Sequence, residues 1–155
     1  MKVLLFFLAL TLSDIAFSYP KTPDIKIAPG RLCHESDPDF TGYRYMQRVP
    51  TCRRNVSYKT KNKICLLYGV DDRRNYTVDH IIPLSLGGSN HESNLWCQHR
   101  DIFTGYLEYY YFRMLRDNRM RHVATVHSLL SWKYNPSGKD HVPDPPDGVY
   151  YPNGQ

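Results

Sequence analysis

The chain has no C-x-x-C pair, no G-x-x-x-x-G-K-[ST] loop, no internal repeat and no apolar run long enough to cross a bilayer. Each absence excludes a class. Without C-x-x-C spacing the four cysteines do not compose a zinc-thiolate module, although Cys97-Gln-His99 offers two ligands of a competing zinc site. Gly87-Gly88 lacks the spacing and the following Lys-Ser/Thr of a phosphate-binding loop, and suits a turn with positive φ instead. Nothing resembles a zinc finger or a helix-turn-helix, so strong base readout is not expected. The longest apolar stretch, Val3–Leu12, is broken only by Thr11 and falls far short of the roughly 20 residues a span requires. Lying between Lys2 and the small-x-small site Ala16-Phe-Ser18, it reads as a secretory signal over residues 1–18. The rest of the chain suffices for one domain with a modest core, and excludes a second full domain, a solenoid or a membrane transporter.

What is present is positive charge and paired-up cysteine. Residues 19–134 hold 18 basic and 11 acidic side chains, a net charge of +7. Arg44–Arg74 alone carries nine basic residues against Asp71 and Asp72. A basic face of this kind fits a polyanion, nucleic acid above all, or else a charged surface that keeps the protein soluble. Cys33, Cys52, Cys65 and Cys97 in an exported chain imply two disulfides. Three pairings are open; the expected one is Cys33–Cys52 with Cys65–Cys97, since the first bridge would staple an N-terminal extension with little core of its own. Asn55-Val-Ser57 and Asn75-Tyr-Thr77 are glycosylation acceptors if the source is eukaryotic.

Tyr19–Tyr45 is rich in Pro, Asp and Gly and lacks a period, which predicts an irregular lead-in within an extension over 19–55. Val56–Val70 reads as a helix with Ser57 as N-cap, an inward face of Ile64, Leu67 and Tyr68, and Gly69 as its stop. Tyr76–Val78 is β-prone and ends at Asp79-His80. Pro83 and Gly87-Gly88-Ser89-Asn90 mark a loop, and Asn94–Cys97 is a second extended run. Helices are expected over Asp101–Arg116 and Val123–Trp132. The tail over 135–155 has five prolines and few aliphatic side chains, so it is expected to be flexible. A domain over 56–134 results, of α+β class.

The chemistry concentrates in Tyr76–Arg100, YTVDHIIPLSLGGSNHESNLWCQHR. A carboxylate beside an imidazole gives a hard ligand for a divalent cation next to a titratable base, the two parts that phosphodiester hydrolysis needs. An amide such as Asn94 is suited to satisfying the backbone of the intervening loop.

Asp79-His80-Ile81-Ile82-Pro83-Leu84, then Gly87-Gly88-Ser89-Asn90, then Asn94-Leu95-Trp96 resembles the HNH nucleases of the His-Me finger (ββα-metal) superfamily, and the looser likeness from Cys52 to Trp132 is to small exported bacterial HNH-type proteins. The resemblance implies a ββα-metal core, His80 as general base and Asp79 as first metal ligand. It also implies that Asn94 braces the loop and orients the histidine. The chain departs from the family at the last ligand, where Phe103 stands in the expected position; His99, one helical turn earlier, is the favoured substitute and Asp101 the alternative. The implied cofactor is a divalent metal ion, Mg2+ first, then Mn2+ or Zn2+. Arg53, Arg54, Lys59, Lys61, Lys63, Arg73 and Arg74 would grip phosphates. The expectation is a secreted or periplasmic, monomeric, metal-dependent endonuclease of low sequence specificity acting on DNA, or on RNA. Its rivals are a degenerate polyanion-binding protein on the same scaffold and an exported toxin or effector.

Overall fold

Ser57 caps a helix as expected: its side chain accepts a hydrogen bond from the Thr60 amide at 3.0 Å. In the computed structural model, which describes residues 19–135 except Phe103, this helix is α1, Tyr58–Leu67, and it is closed by Gly69 at φ +72°. The expected signal at 1–18, Phe103 and the tail beyond residue 135 lie outside the described residues. Ile64 and Cys65 form the buried face of α1, whereas Leu67 is 52% exposed. The inward face is therefore rotated from the one read in sequence, because the Cys65–Cys97 bridge fixes which side of the helix meets the sheet.

Among the described residues, two small antiparallel sheets and three α-helices make an α+β fold. The first sheet pairs β1, Phe40–Arg44, with β2, Val49–Cys52. This hairpin lies within the segment expected to be irregular. Tyr45 and Arg48 take positive φ in its turn (59° and 53°), and the register shifts between Phe40 and Gly42, so neither a glycine turn nor an unbroken alternation announces it. The extension is tied into the main core: the Cys33 amide donates to Gly87 O at 2.7 Å, and Val49 is buried with Ile82, Leu86, Leu107 and Leu129.

The second sheet pairs β3, Tyr76–His80, with β4, Leu95–His99, in the register Asp79↔Trp96 and His80↔Leu95. Against one face α1 packs Ile64 and Cys65 onto Val78, Leu95 and Cys97. The opposite face carries Trp96, buried with Ala28 and Ile81, a core role as expected. Helices α2, Gly105–Arg116, and α3, His122–Tyr134, pack on each other and on the turn after β3. The expected helix start at Asp101 is corrected to Gly105: β4 runs on to His99, and Gln98 Nε2 donates to Ile102 O at 2.8 Å, which holds the following segment out of the helix. Both disulfides form as expected, Cys33–Cys52 and Cys65–Cys97, and no cysteine is free. Among the described residues no helix is long and apolar enough to cross a membrane.

Candidate functional site

The loop between β3 and β4 is built around Asn94, which is completely buried. Its Oδ1 accepts from the amides of Ile82 (2.9 Å) and Arg31 (3.2 Å), and its Nδ2 donates to the carbonyls of Ile82 (3.0 Å) and Ser89 (2.9 Å). One side chain thus ties both ends of the loop and the N-terminal extension together. Gly88 makes that possible, since a Cβ there would lie 1.8 Å from Ile82 O and 2.8 Å from Asn94 Nδ2.

The loop delivers Asn90 to His80. The imidazole is 2% exposed, and its Nε2 lies 3.1 Å from Asn90 Oδ1. The Asn90 amide nitrogen donates to Asp39 Oδ2 (3.0 Å) and to Arg53 O (2.7 Å), so its oxygen is the acceptor and Nε2 carries the proton. Nδ1 is left with a lone pair and no partner among the described residues. Burial holds the imidazole pKa below its usual value, and the nearby Arg54 charge acts in the same direction against the Asn90 hydrogen bond and Asp79. The ring is therefore neutral at neutral pH. Arg53 and Arg54 are exposed, and their side chains make no hydrogen bond or ion pair within the described residues. Asn90 thus ties a neutral base to the backbone of Arg53, next in the chain to Arg54, whose charge acts on the imidazole.

Asp79 does not share that face. Neighbouring residues in a strand point to opposite sides, and Asp79 stands on the side of Trp96, Thr77 and Gln98. There it meets Glu108 from α2 and Lys133 from α3 at a cleft of about 490 Å³, lined also by Thr77, Gln98 and Thr104. Lys133 Nζ lies 2.5 Å from Glu108 Oε1, 2.9 Å from His80 O and 3.5 Å from Asp79 Oδ2. Thr104 Oγ1 donates to Glu108 Oε1 at 3.1 Å. Burial raises the Glu108 pKa, opposed chiefly by the Lys133 charge.

His99 ends β4 instead of opening a helix, and pairs with Tyr76 on the ladder face opposite Asp79, though it reaches the rim of the same cleft. Tyr19 stacks on its ring at 3.9 Å between centroids, and its Nδ1 lies 3.4 Å from the exposed Asp101. Asp79 and His99 thus reach one cleft from opposite faces of the ladder, and Asp79 Oδ2 is buried there without a hydrogen bond. The one group of three potential ligands among the described residues is Cys33, Asp37 and Cys52, whose two sulfurs are bonded to each other and whose carboxylate holds Arg31 at 2.6 Å. The residues present do not fit a divalent ion in the arrangement the resemblance implies.

The basic segment separates by surroundings. Lys63 pairs with Glu92 at 2.5 Å and Arg74 with Asp72 at 2.5 Å; Arg73 donates to Asn62 and lies over the Tyr58 ring. Lys59 and Lys61, like Arg53 and Arg54, have no such partner among the described residues. Asn90, Glu108 and Lys133 are the site residues that motif reading missed. Asn90 was within reach, as the last residue of Gly87-Gly88-Ser89-Asn90. Lys133, three and four residues beyond Leu130 and Leu129, interrupts an inward apolar stripe, which is the signal it leaves. The chain matches no family model, no curated protein and no solved structure.

Proposed function

We propose that this exported protein cleaves phosphodiester bonds of nucleic acid, with His80 as general base, Asn90 and Asn94 holding it, and Arg53 and Arg54 taking the flanking phosphates. The proposal includes the finer fold assignment: β3, the Asn94-braced loop, β4 and α2 follow one another in the order of the ββα unit of HNH nucleases. One observation carries the reading. A neutral imidazole with an unpartnered nitrogen is joined through one amide to the strand end that bears two unpaired guanidinium groups. A base needs a free lone pair at working pH, and a scissile phosphate needs positive charge beside it. Because His80 is closed to solvent, the substrate must part the layer over it as it binds.

The test is cleavage of supercoiled plasmid and of a long RNA, each with EDTA, Mg2+ or Mn2+. His80→Ala should lower the rate about 10²–10⁴-fold, the usual worth of a general base, without lowering nucleic-acid affinity. Equal rates for His80→Ala and the parent would remove the reading. The burial of His80 favours a second one, a nucleic-acid-binding scaffold without chemistry. Salt-sensitive binding with no cleavage of either polymer under any of these conditions would establish it.

A further inference from the structure

Three oxygens converge on one buried ammonium. Lys133 Nζ donates to Glu108 Oε1 and to the His80 carbonyl at 2.5 and 2.9 Å, and its charge lies 3.5 Å from Asp79 Oδ2. The lysine side chain is 1% exposed, whereas Asp79 and Glu108 keep 24% and 21% of theirs open to the cleft. Two carboxylates and a carbonyl are the donors a hard divalent cation takes. Here a compact ammonium donates to Glu108 and the His80 carbonyl and stands at ion-pair distance from Asp79, whose Oδ2 is buried without a hydrogen bond. A second cation entering from the cleft would find the pair already half neutralised and would be repelled by the charge between them.

We infer that Lys133 is the resident cation of this cleft, that no divalent ion binds between Asp79 and Glu108, and that the substrate is RNA, cleaved without a metal. This rests on the phosphodiesterase reading. A metal supplies that reaction with an activated water and with charge at the leaving oxygen. Without one, a DNA strand offers His80 only bulk water, but RNA carries its own nucleophile in the 2′-hydroxyl. His80 Nδ1 takes the 2′-hydroxyl proton, the 2′-oxygen–phosphorus bond forms, and the bond from phosphorus to the 5′-oxygen breaks. The leaving 5′-oxygen takes a proton from water, and the resulting hydroxide is neutralised when His80 returns its proton. The products are a 2′,3′-cyclic phosphate and a 5′-hydroxyl, with no net change in protons or electrons. Arg53 and Arg54 face the phosphate; Lys133 touches no substrate and acts as a positioning residue, pinning the His80 carbonyl and the end of β3 to α3.

The experiment uses the whole oxidised protein, with RNA and DNA of one sequence and an EDTA arm. EDTA-resistant cleavage of RNA alone, leaving cyclic phosphate ends, is expected. Cleavage that requires Mg2+ or Mn2+, or that takes DNA equally well, overturns this inference and leaves the phosphodiesterase reading standing. No cleavage of either polymer in any arm overturns both. Binding of Mn2+ alone, followed by electron paramagnetic resonance, gives a readout independent of activity. The parent should bind none at millimolar metal, and Lys133→Met should gain a site that Asp79→Asn in the same background removes. Should Lys133→Met fail to fold, the parent decides: Mn2+ binding that Asp79→Asn abolishes refutes the assignment.

Discussion

Asn94 has every hydrogen-bonding position of its side chain engaged, in a place no water reaches. Asn94→Ala would orphan two amides and two carbonyls; at about 1–3 kcal/mol for each buried unsatisfied group, partly relieved by relaxation, a loss on the order of 3–5 kcal/mol is expected in urea unfolding. A loss under about 1 kcal/mol would show that the loop does not depend on this side chain. His80 adds a pH dependence. Its folded-state pKa lies below the unfolded value near 6.5, so the unfolded chain binds the proton more readily. Stability should therefore be fully present above that value and fall as pH drops below it, and thermal melts from pH 8 to pH 5 should show a decline that His80→Gln flattens. The bracing amide was legible in sequence because Ile82 and Ser89, which take three of its four hydrogen bonds, lie in the loop it closes. The facing of Asp79 was not, since adjacency in sequence becomes opposition across a strand. Lys133 was legible still less: its partners are 25 and 54 residues away.

At the scale of elements, the cores of α1, β3, β4, α2 and α3 follow from patterning with errors at their ends, whereas the β1–β2 hairpin does not follow from it at all. Ser57 and Gly69 bound α1 through cap chemistry visible in the residues themselves. The start of α2 was not visible, because it depends on how far β4 pairs with β3 and on the Gln98 side chain holding Ile102. That displacement also moved His99 from a helix to a strand end. Glycines separate two kinds of requirement. Gly69→Ala meets open space at positive φ and should cost about 1 kcal/mol, whereas Gly88→Ala drives a Cβ into backbone and should unfold the loop. Comparison of their melting temperatures checks this, and equal shifts would contradict the close packing at Gly88. The bridge between α1 and β4 should contribute about 2–4 kcal/mol, measured as the loss in Cys65→Ser/Cys97→Ser.

Across the whole molecule, the unpaired cations are the ones available to a polyanion. Binding should weaken with salt at a slope near −0.9 per duplex phosphate neutralised, and Arg53→Glu/Arg54→Glu should lower that slope by about 2 for every sequence alike. Arg73→Glu should change it less, because that guanidinium is already engaged with Asn62 and Tyr58. A loss restricted to one sequence would reveal base readout. The second disulfide has a further consequence. Cys65 and Cys97 close a covalent ring around β3, the loop and most of β4, so that Asp79, His80, Asn90 and Asn94 all lie inside it. A single protease cut anywhere within the ring opens a circle and releases no fragment. In an oxidising, protease-rich medium the segment bearing the candidate base therefore stays tethered at both ends after a first cleavage, and only reduction, or a second cut, lets a piece of it leave.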